Sequence, residues 1–254
     1  CPPPADGPGQ LMRAVARTRI DQRDRSSTQA DGKLVSSPKR RATTTPPGSW
    51  REASSMADLA LIFEPGVNMV FLRRRLSPCI ERYATVLAGG QSFASQLVTP
   101  ARAPAVDSLL PVSPDFRQKL FKQDIEALVE LYADLTEATE LGLRFRNLEN
   151  AMCPRFHTDK VGIRLICAYV GPGTEWLSDE DADRTALGGR VVVGGEPDPV
   201  LCKAGVVRHV PTGAIALLKG EAWPGNEARG VVHRSPPASK DAPRLLLTID
   251  QVAG

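Results

Sequence analysis

Three histidines occur in the 254 residues, at positions 157, 209 and 233. One of them sits in Arg155-Phe156-His157-Thr158-Asp159. In an extended segment, residues i and i+2 project to the same side. His157 and Asp159 can therefore present an imidazole nitrogen and a carboxylate oxygen to one point. His233, in Val231-Val232-His233-Arg234-Ser235, closes a short apolar strand and supplies a third donor. Two histidines and one carboxylate on one face leave coordination positions open, the arrangement of non-haem Fe(II) oxygenases. His209 has no partner at ligand spacing and reads as a surface or structural residue.

Arg244 follows His233 by eleven residues and opens an apolar run, Leu245 to Ile249. An antiparallel return would lay that run beside the strand carrying His233. A guanidinium there can hold a carboxylate by a bidentate pair while the acid's other end chelates the metal. Arg164, Arg234 and Trp176 are the candidate substrate contacts, although Arg164 leads into an apolar strand and suits pairing with an acid near the barrel mouth. Trp176, after its tight turn, either shapes the pocket rim or simply packs; Lys160 reads as a solvated edge charge. Cys153 and Cys202 precede His157 and His209 and offer a structural zinc site, although closed sites show tighter cysteine pairs. Glu221 and Glu175 become acid–base residues only in a zinc hydrolase.

The elements that must position these residues fall in two parts. Residues 1–55 are rich in Pro, Gly, Ser, Thr and Arg, with ten basic and five acidic side chains. Without apolar periodicity they cannot offset chain entropy and read as a disordered extension. Asp6, Asp21, Asp24 and Asp31 argue against a transit peptide. Residues 56–254 read as one α+β domain, helical over 56–140 and β over 141–254.

Val67 to Leu72 is a strand candidate. Ser77-Pro78 starts a helix that ends near Gly89-Gly90, and residues 91–112 read as a connecting loop. Ser113-Pro114-Asp115 starts a second helix, amphipathic to about Thr139 through Ile125, Leu128, Val129, Tyr132 and Leu135. Leu141, Leu143 and Phe145 alternate as a strand. Further strands are expected at Ile163 to Val170, Arg190 to Val193, Gly205 to His209, Ala214 to Lys219, Gly230 to His233 and Leu245 to Ile249. Their lengths and Gly/Pro-rich turns suit an antiparallel sandwich or barrel.

The folded part carries 22 basic and 24 acidic residues, so charge suggests no nucleic-acid partner. No run reaches the roughly 18 apolar residues of a membrane span. Five widely spaced cysteines without a CxxC pair suit a reducing compartment, and a cytoplasmic location is the expectation.

Taken in order, His157-x-Asp159, the strand after Gly213, His233-x-Ser235 and Arg244 resemble the Fe(II)- and 2-oxoglutarate-dependent dioxygenase superfamily, particularly its phytanoyl-CoA hydroxylase-like branch. The resemblance implies a double-stranded β-helix (a cupin-like jelly roll), with His157, Asp159 and His233 on iron and Arg244 on the co-substrate carboxylate. Many such enzymes place Ser or Thr two residues after this Arg. Here that position is Leu246, and Tyr169 or Thr248 is the expected source of the hydroxyl.

Longer motifs carry a second resemblance, from about Met56 onward. Cys153-Pro154-Arg155-Phe156-His157-Thr158-Asp159-Lys160-Val161, Gly171-Pro172-Gly173-Thr174-Glu175-Trp176, Trp223-Pro224-Gly225-Asn226 and Val232-His233-Arg234-Ser235-Pro236-Pro237 resemble the bacterial family known as domain of unknown function 1826. Members are often associated with zinc homeostasis. The resemblance therefore implies the same site with the metal open, iron for a dioxygenase of a small-molecule or protein substrate, zinc for a cupin-like protein that stores, senses or delivers metal.

Overall fold

A computed structural model describes residues 49–189 and 198–252. The strand expected at Arg190 to Val193 lies outside the described residues.

Among the described residues, ten strands form two sheets. The larger has the order β1-β2-β8-β5-β10-β4-β3, and the smaller has the order β7-β6-β9. Their ranges are β1 Trp50–Ala53, β2 Met69–Leu72, β3 Phe93–Pro100, β4 Glu140–Leu148, β5 Ile163–Val170, β6 Glu175–Leu177, β7 Arg208–His209, β8 Ile215–Lys219, β9 Val232–Arg234 and β10 Arg244–Gln251. All pairings are antiparallel except β1 with β2. Helices α1 (Pro78–Ala88) and α2 (Arg117–Thr136) lie between strands of the larger sheet in sequence.

The helices begin where the side chains dictate. Ser77 caps α1 by accepting from the Ile80 N–H, with Pro78 in the first turn. Asp115 accepts from the Arg117 N–H at 2.9 Å at the start of α2. Helix α2 stops at Thr136, three residues earlier than the periodicity suggests, because Glu137 turns to a left-handed φ of 56°.

The period-2 rule assigns each strand residue to a layer. On one face of the larger sheet, Leu141, Leu143, Phe145, Leu165, Cys167, Tyr169, Leu245, Leu247 and Ile249 pack against Tyr83 of α1 and Phe121, Ile125, Leu128 and Tyr132 of α2. The Tyr132 hydroxyl donates to the Ile163 carbonyl at 2.6 Å and ties α2 to β5. On the other face, Met69, Phe71, Ile166, Ala168, Ala216, Leu218 and Leu246 pack against Trp176 of the smaller sheet. The two sheets therefore face each other across a second core. Strand β10 is covered on both sides and is buried from Arg244 to Asp250, whereas β4 alternates buried and half-buried residues. The smaller sheet does not fully cover β4.

Two expectations fail. The loop expected over 91–112 contains β3, eight residues whose outer side (Ala94, Gln96, Val98 and Pro100) is exposed and whose covered side mixes Phe93 and Leu97 with Ser95 and Thr99. It also contains a 3-10 turn at Val106–Leu109. The extension expected over 1–55 ends early, because Trp50 stacks on Phe71 (6.0 Å between centroids) and meets Trp176 edge-on at 5.4 Å. Helices and strands therefore alternate in residues 50–140, and three strands of this part complete the larger sheet. No helix among the described residues is long and apolar enough to cross a membrane.

Candidate metal centre

His157 and His233 are held by the backbone before any side chain acts. Their peptide groups form an antiparallel bridge, each N–H donating to the other's carbonyl at 3.0 Å. Directly opposite residues share a face, which brings the rings to 4.5 Å between centroids. In β9 the register puts His233 opposite Trp176, whose ring lies in the inter-sheet core, so His233 points inward as well.

Asp159 is placed by a second close approach. The Glu221 N–H donates to the Asp159 carbonyl at 2.8 Å, the Gly220 N–H to Gly162 at 2.8 Å and the Ala222 N–H to Val161 at 3.1 Å. Gly220 permits this contact, since a Cβ there would lie 2.3 Å from the Val161 carbonyl oxygen and 2.6 Å from that of Asp159. Thr158 adds a hydrogen bond from its hydroxyl to Glu221 at 2.6 Å.

Donor atoms of His157, Asp159 and His233 lie within 4.8 Å of one another, the one such group of three among the described residues. His157 Nε2 is 3.7 Å from Asp159 Oδ1, and His233 Nε2 is 3.3 Å from Asp159 Oδ2. Both Nδ1 atoms sit 2.9 Å from backbone carbonyls, of Arg155 and Val231. A carbonyl only accepts, so each Nδ1 carries its ring's proton and each Nε2 lone pair faces the carboxylate. This donor set fits a divalent cation. Burial and the neighbouring His233 hold His157 below the ordinary histidine range, which favours the neutral, ligating form. Burial alone would raise Asp159. The charge of Arg164 and, when Nε2 also carries a proton, the hydrogen bond and charge of His233 outweigh it and hold the carboxyl well below its usual range.

Arg164 pairs with acids, as its lead into an apolar strand suggests, and is not a free substrate contact. Its Nη1 donates to Asp159 at 2.6 Å and its Nε to Asp250 at 2.6 Å, so it orients a ligand instead. Arg144 also pairs with Asp250. Sequence reasoning missed Asp250, although its place at alternate spacing from Arg244 and Thr248 put it on the same face. Trp176, expected to touch substrate, is instead buried in the inter-sheet core, with Arg208 over its ring at 5.5 Å. Tyr169 cannot serve the site: it projects to the helix side of β5 and donates to Asp124 at 2.6 Å. Thr248, the other expected hydroxyl, shares the inter-sheet face with Arg244 and Leu246.

Arg234 lines a cavity of about 770 Å³ together with Phe156 and His157. Its guanidinium stacks 4.2 Å from the Phe156 ring and pairs with Glu175 at 2.5 Å and Asp198 at 3.4 Å. The two glutamates of the hydrolase reading are thus engaged, Glu175 by Arg234 and Glu221 by Thr158. His209 is exposed, as expected. Cys153 and Cys202 join no metal-binding group among the described residues.

Arg244 is 1% exposed and ion-paired with no carboxylate among the described residues. Its Nε donates to the Pro172 carbonyl at 2.8 Å and its Nη2 to the Thr174 hydroxyl at 2.8 Å. Burial pushes the guanidinium down to about 10 against the pull of Glu175. A buried cation satisfied only by neutral acceptors costs several kcal/mol, on the order of what an incoming carboxylate would offset. On the same inter-sheet face, the buried Trp176 Nε1 has no hydrogen-bond partner among the described residues. An unneutralised cation and an orphaned donor on the inter-sheet face fit an acidic co-substrate.

The model of a family described as "Protein of unknown function (DUF1826)" matches residues 53–250. No curated protein matches the chain. Among solved structures, a rice dioxygenase for auxin oxidation has a TM-score of 0.46 and 13% identity, over 82% of this chain and 83% of that one. The protein JOX2, in complex with 2OG, Fe and JA, has a TM-score of 0.44 and 11% identity, over 98% and 83%. A Pseudomonas putida prolyl-4-hydroxylase has a TM-score of 0.41 and 13% identity, over 78% and 99%. Likeness at this level transfers no residue's role.

Proposed function

The chain belongs to the DUF1826 family, and from that premise we propose that it is an Fe(II)- and 2-oxoglutarate-dependent dioxygenase built on a double-stranded β-helix. The observation that carries the reading is the convergence of His157, Asp159 and His233, with both Nε2 atoms turned to the carboxylate by Nδ1–carbonyl hydrogen bonds. His157, Asp159 and His233 would hold the ion and would leave it open to further ligands.

Iron held by His157, Asp159 and His233 would supply activation of O2, the oxidant whose two oxygen atoms end in succinate and in the hydroxylated small-molecule or protein substrate as 2-oxoglutarate loses CO2. The chain's own contribution is placement. Arg164 fixes the Asp159 carboxylate, and Asp250 fixes Arg164. Arg244 would hold the distal carboxylate of the co-substrate. Burial of Arg244 and His233 excludes bulk water from that side, and the cavity beside His157 and Arg234 admits the substrate.

The test is anaerobic reconstitution with Fe(II), followed by metal analysis and an assay of 2-oxoglutarate conversion to succinate. One equivalent of iron in the wild type, lost in His157→Ala and His233→Ala, with turnover lost in Arg244→Met, supports the reading. Tight zinc without 2-oxoglutarate binding overturns it in favour of a metal-homeostasis role. Unchanged metal content in both histidine variants overturns any metal centre at these residues.

A further inference from the structure

Beside the metal triad, on the inner face of the larger sheet, lies a second recess of about 130 Å³, lined by Arg144, Arg146, Met152, Arg164, Leu246 and Thr248. It exists because the smaller sheet does not fully cover β4. The inward residues of that strand at this point are Arg144 and Arg146, two residues apart and therefore side by side. The wall is continuous with the candidate centre, since Arg164 lines the recess and donates to Asp159 at 2.6 Å.

The charges do not balance. Three guanidiniums meet two carboxylates: Asp250, shared by Arg144 and Arg164, and Asp159, held by Arg164. Arg146 is left over. Its Nη1 faces the Met152 thioether, a weak acceptor, and its buried Nε has no hydrogen-bond partner among the described residues. The surplus of positive charge raises the local potential, and a buried polar N–H without a partner costs about 1–3 kcal/mol. The side chain of Arg144 is 41% exposed, so an anion reaches the recess from solvent. The volume corresponds to about four waters, enough for a phosphate or a carboxylate group but not for a large ligand.

We propose that this recess is an oxyanion subsite for the molecule to be oxidised, which carries a carboxylate or phosphate group that Arg146 binds with Arg144 and Thr248 at its sides. The proposal rests on the dioxygenase reading for the word oxidised, and on the recess alone for the anion. Arg244 is the buried guanidinium assigned to the co-substrate, whereas Arg146 borders an opening to solvent, where a second molecule enters.

Inorganic phosphate is the probe. It is titrated calorimetrically into the full chain, first without metal and then anaerobically with Fe(II) and saturating 2-oxoglutarate. The expected results are binding to the wild type, at least tenfold weaker binding to Arg146→Met, and no displacement by 2-oxoglutarate. Met152→Glu gives an independent arm. Met152 is 43% exposed and its sulfur touches Arg146, so a glutamate there would fill the recess with the chain's own carboxylate and abolish phosphate binding without disturbing the fold. Both variants should still take up metal. Absence of binding to the wild type, equal binding by wild type, Arg146→Met and Met152→Glu, or displacement by 2-oxoglutarate overturns the proposal. Loss of the metal reading alone shows as unchanged metal content in His157→Ala, with the phosphate results intact.

Discussion

Asp159 is the residue on which the centre turns, because its two oxygens serve different partners. One faces His157; the other accepts from Arg164 and lies 3.3 Å from His233. Removing the guanidinium leaves the carboxylate free to rotate and leaves Asp250 with only Arg144. Arg164→Met is therefore expected to lower metal affinity by roughly 10- to 100-fold while the chain still folds, measured by competition with a chromogenic chelator. Affinity equal to wild type would show that Asp159 needs no such support. The pairing of His157 with Asp159 is legible from i, i+2 spacing alone. Arg164's dedication to Asp159 and Asp250 is not, since the second acid is 86 residues away and alternation assigns a face without assigning a partner.

At the scale of elements, the Asp159 segment depends on a glycine in another part of the chain. Segment 220–222 lies against 159–162 by backbone hydrogen bonds alone, and Gly220 has no room for a side chain. Gly220→Ala must push Asp159 and Val161 away. The expected outcome is a loss of about 1–3 kcal/mol in stability and a fall in metal uptake. Gly162→Ala is the matched control, because its nearest neighbour is the flexible end of Gln251 at 3.4 Å. Equal effects of the two substitutions, by thermal melting and metal analysis, would remove the special role of Gly220. Strand β3 shows the opposite limit of sequence reading. Its residues Phe93-Ala94-Ser95-Gln96-Leu97-Val98-Thr99-Pro100 lack strong alternation, and only pairing along all eight residues with β4 makes them a strand.

For the whole molecule, the boundary of the folded part lies before Trp50 and not at Met56. Strand β1 pairs in parallel with β2, and Trp50 closes the edge of the inter-sheet core against Phe71 and Trp176. A chain starting at Ser49 keeps the β1–β2 pairing and both Trp50 contacts. One starting at Met56 should lose about 3 kcal/mol or more with that tryptophan. Equal melting of both would return the boundary to Met56. Composition, helix caps and apolar periodicity by themselves determined the two helices, most of the strands and the three metal-ligand candidates, because these signals are local and each is carried by residues a few positions apart. Only the tertiary structure decided which guanidinium serves which acid. It turned Tyr169 away from the site, buried Trp176, engaged Arg164, left Arg244 without a directly paired carboxylate among the described residues and set Arg146 beside the centre. Each of those outcomes depends on which sheet face is covered by which layer, and that is settled by packing between segments far apart in the chain.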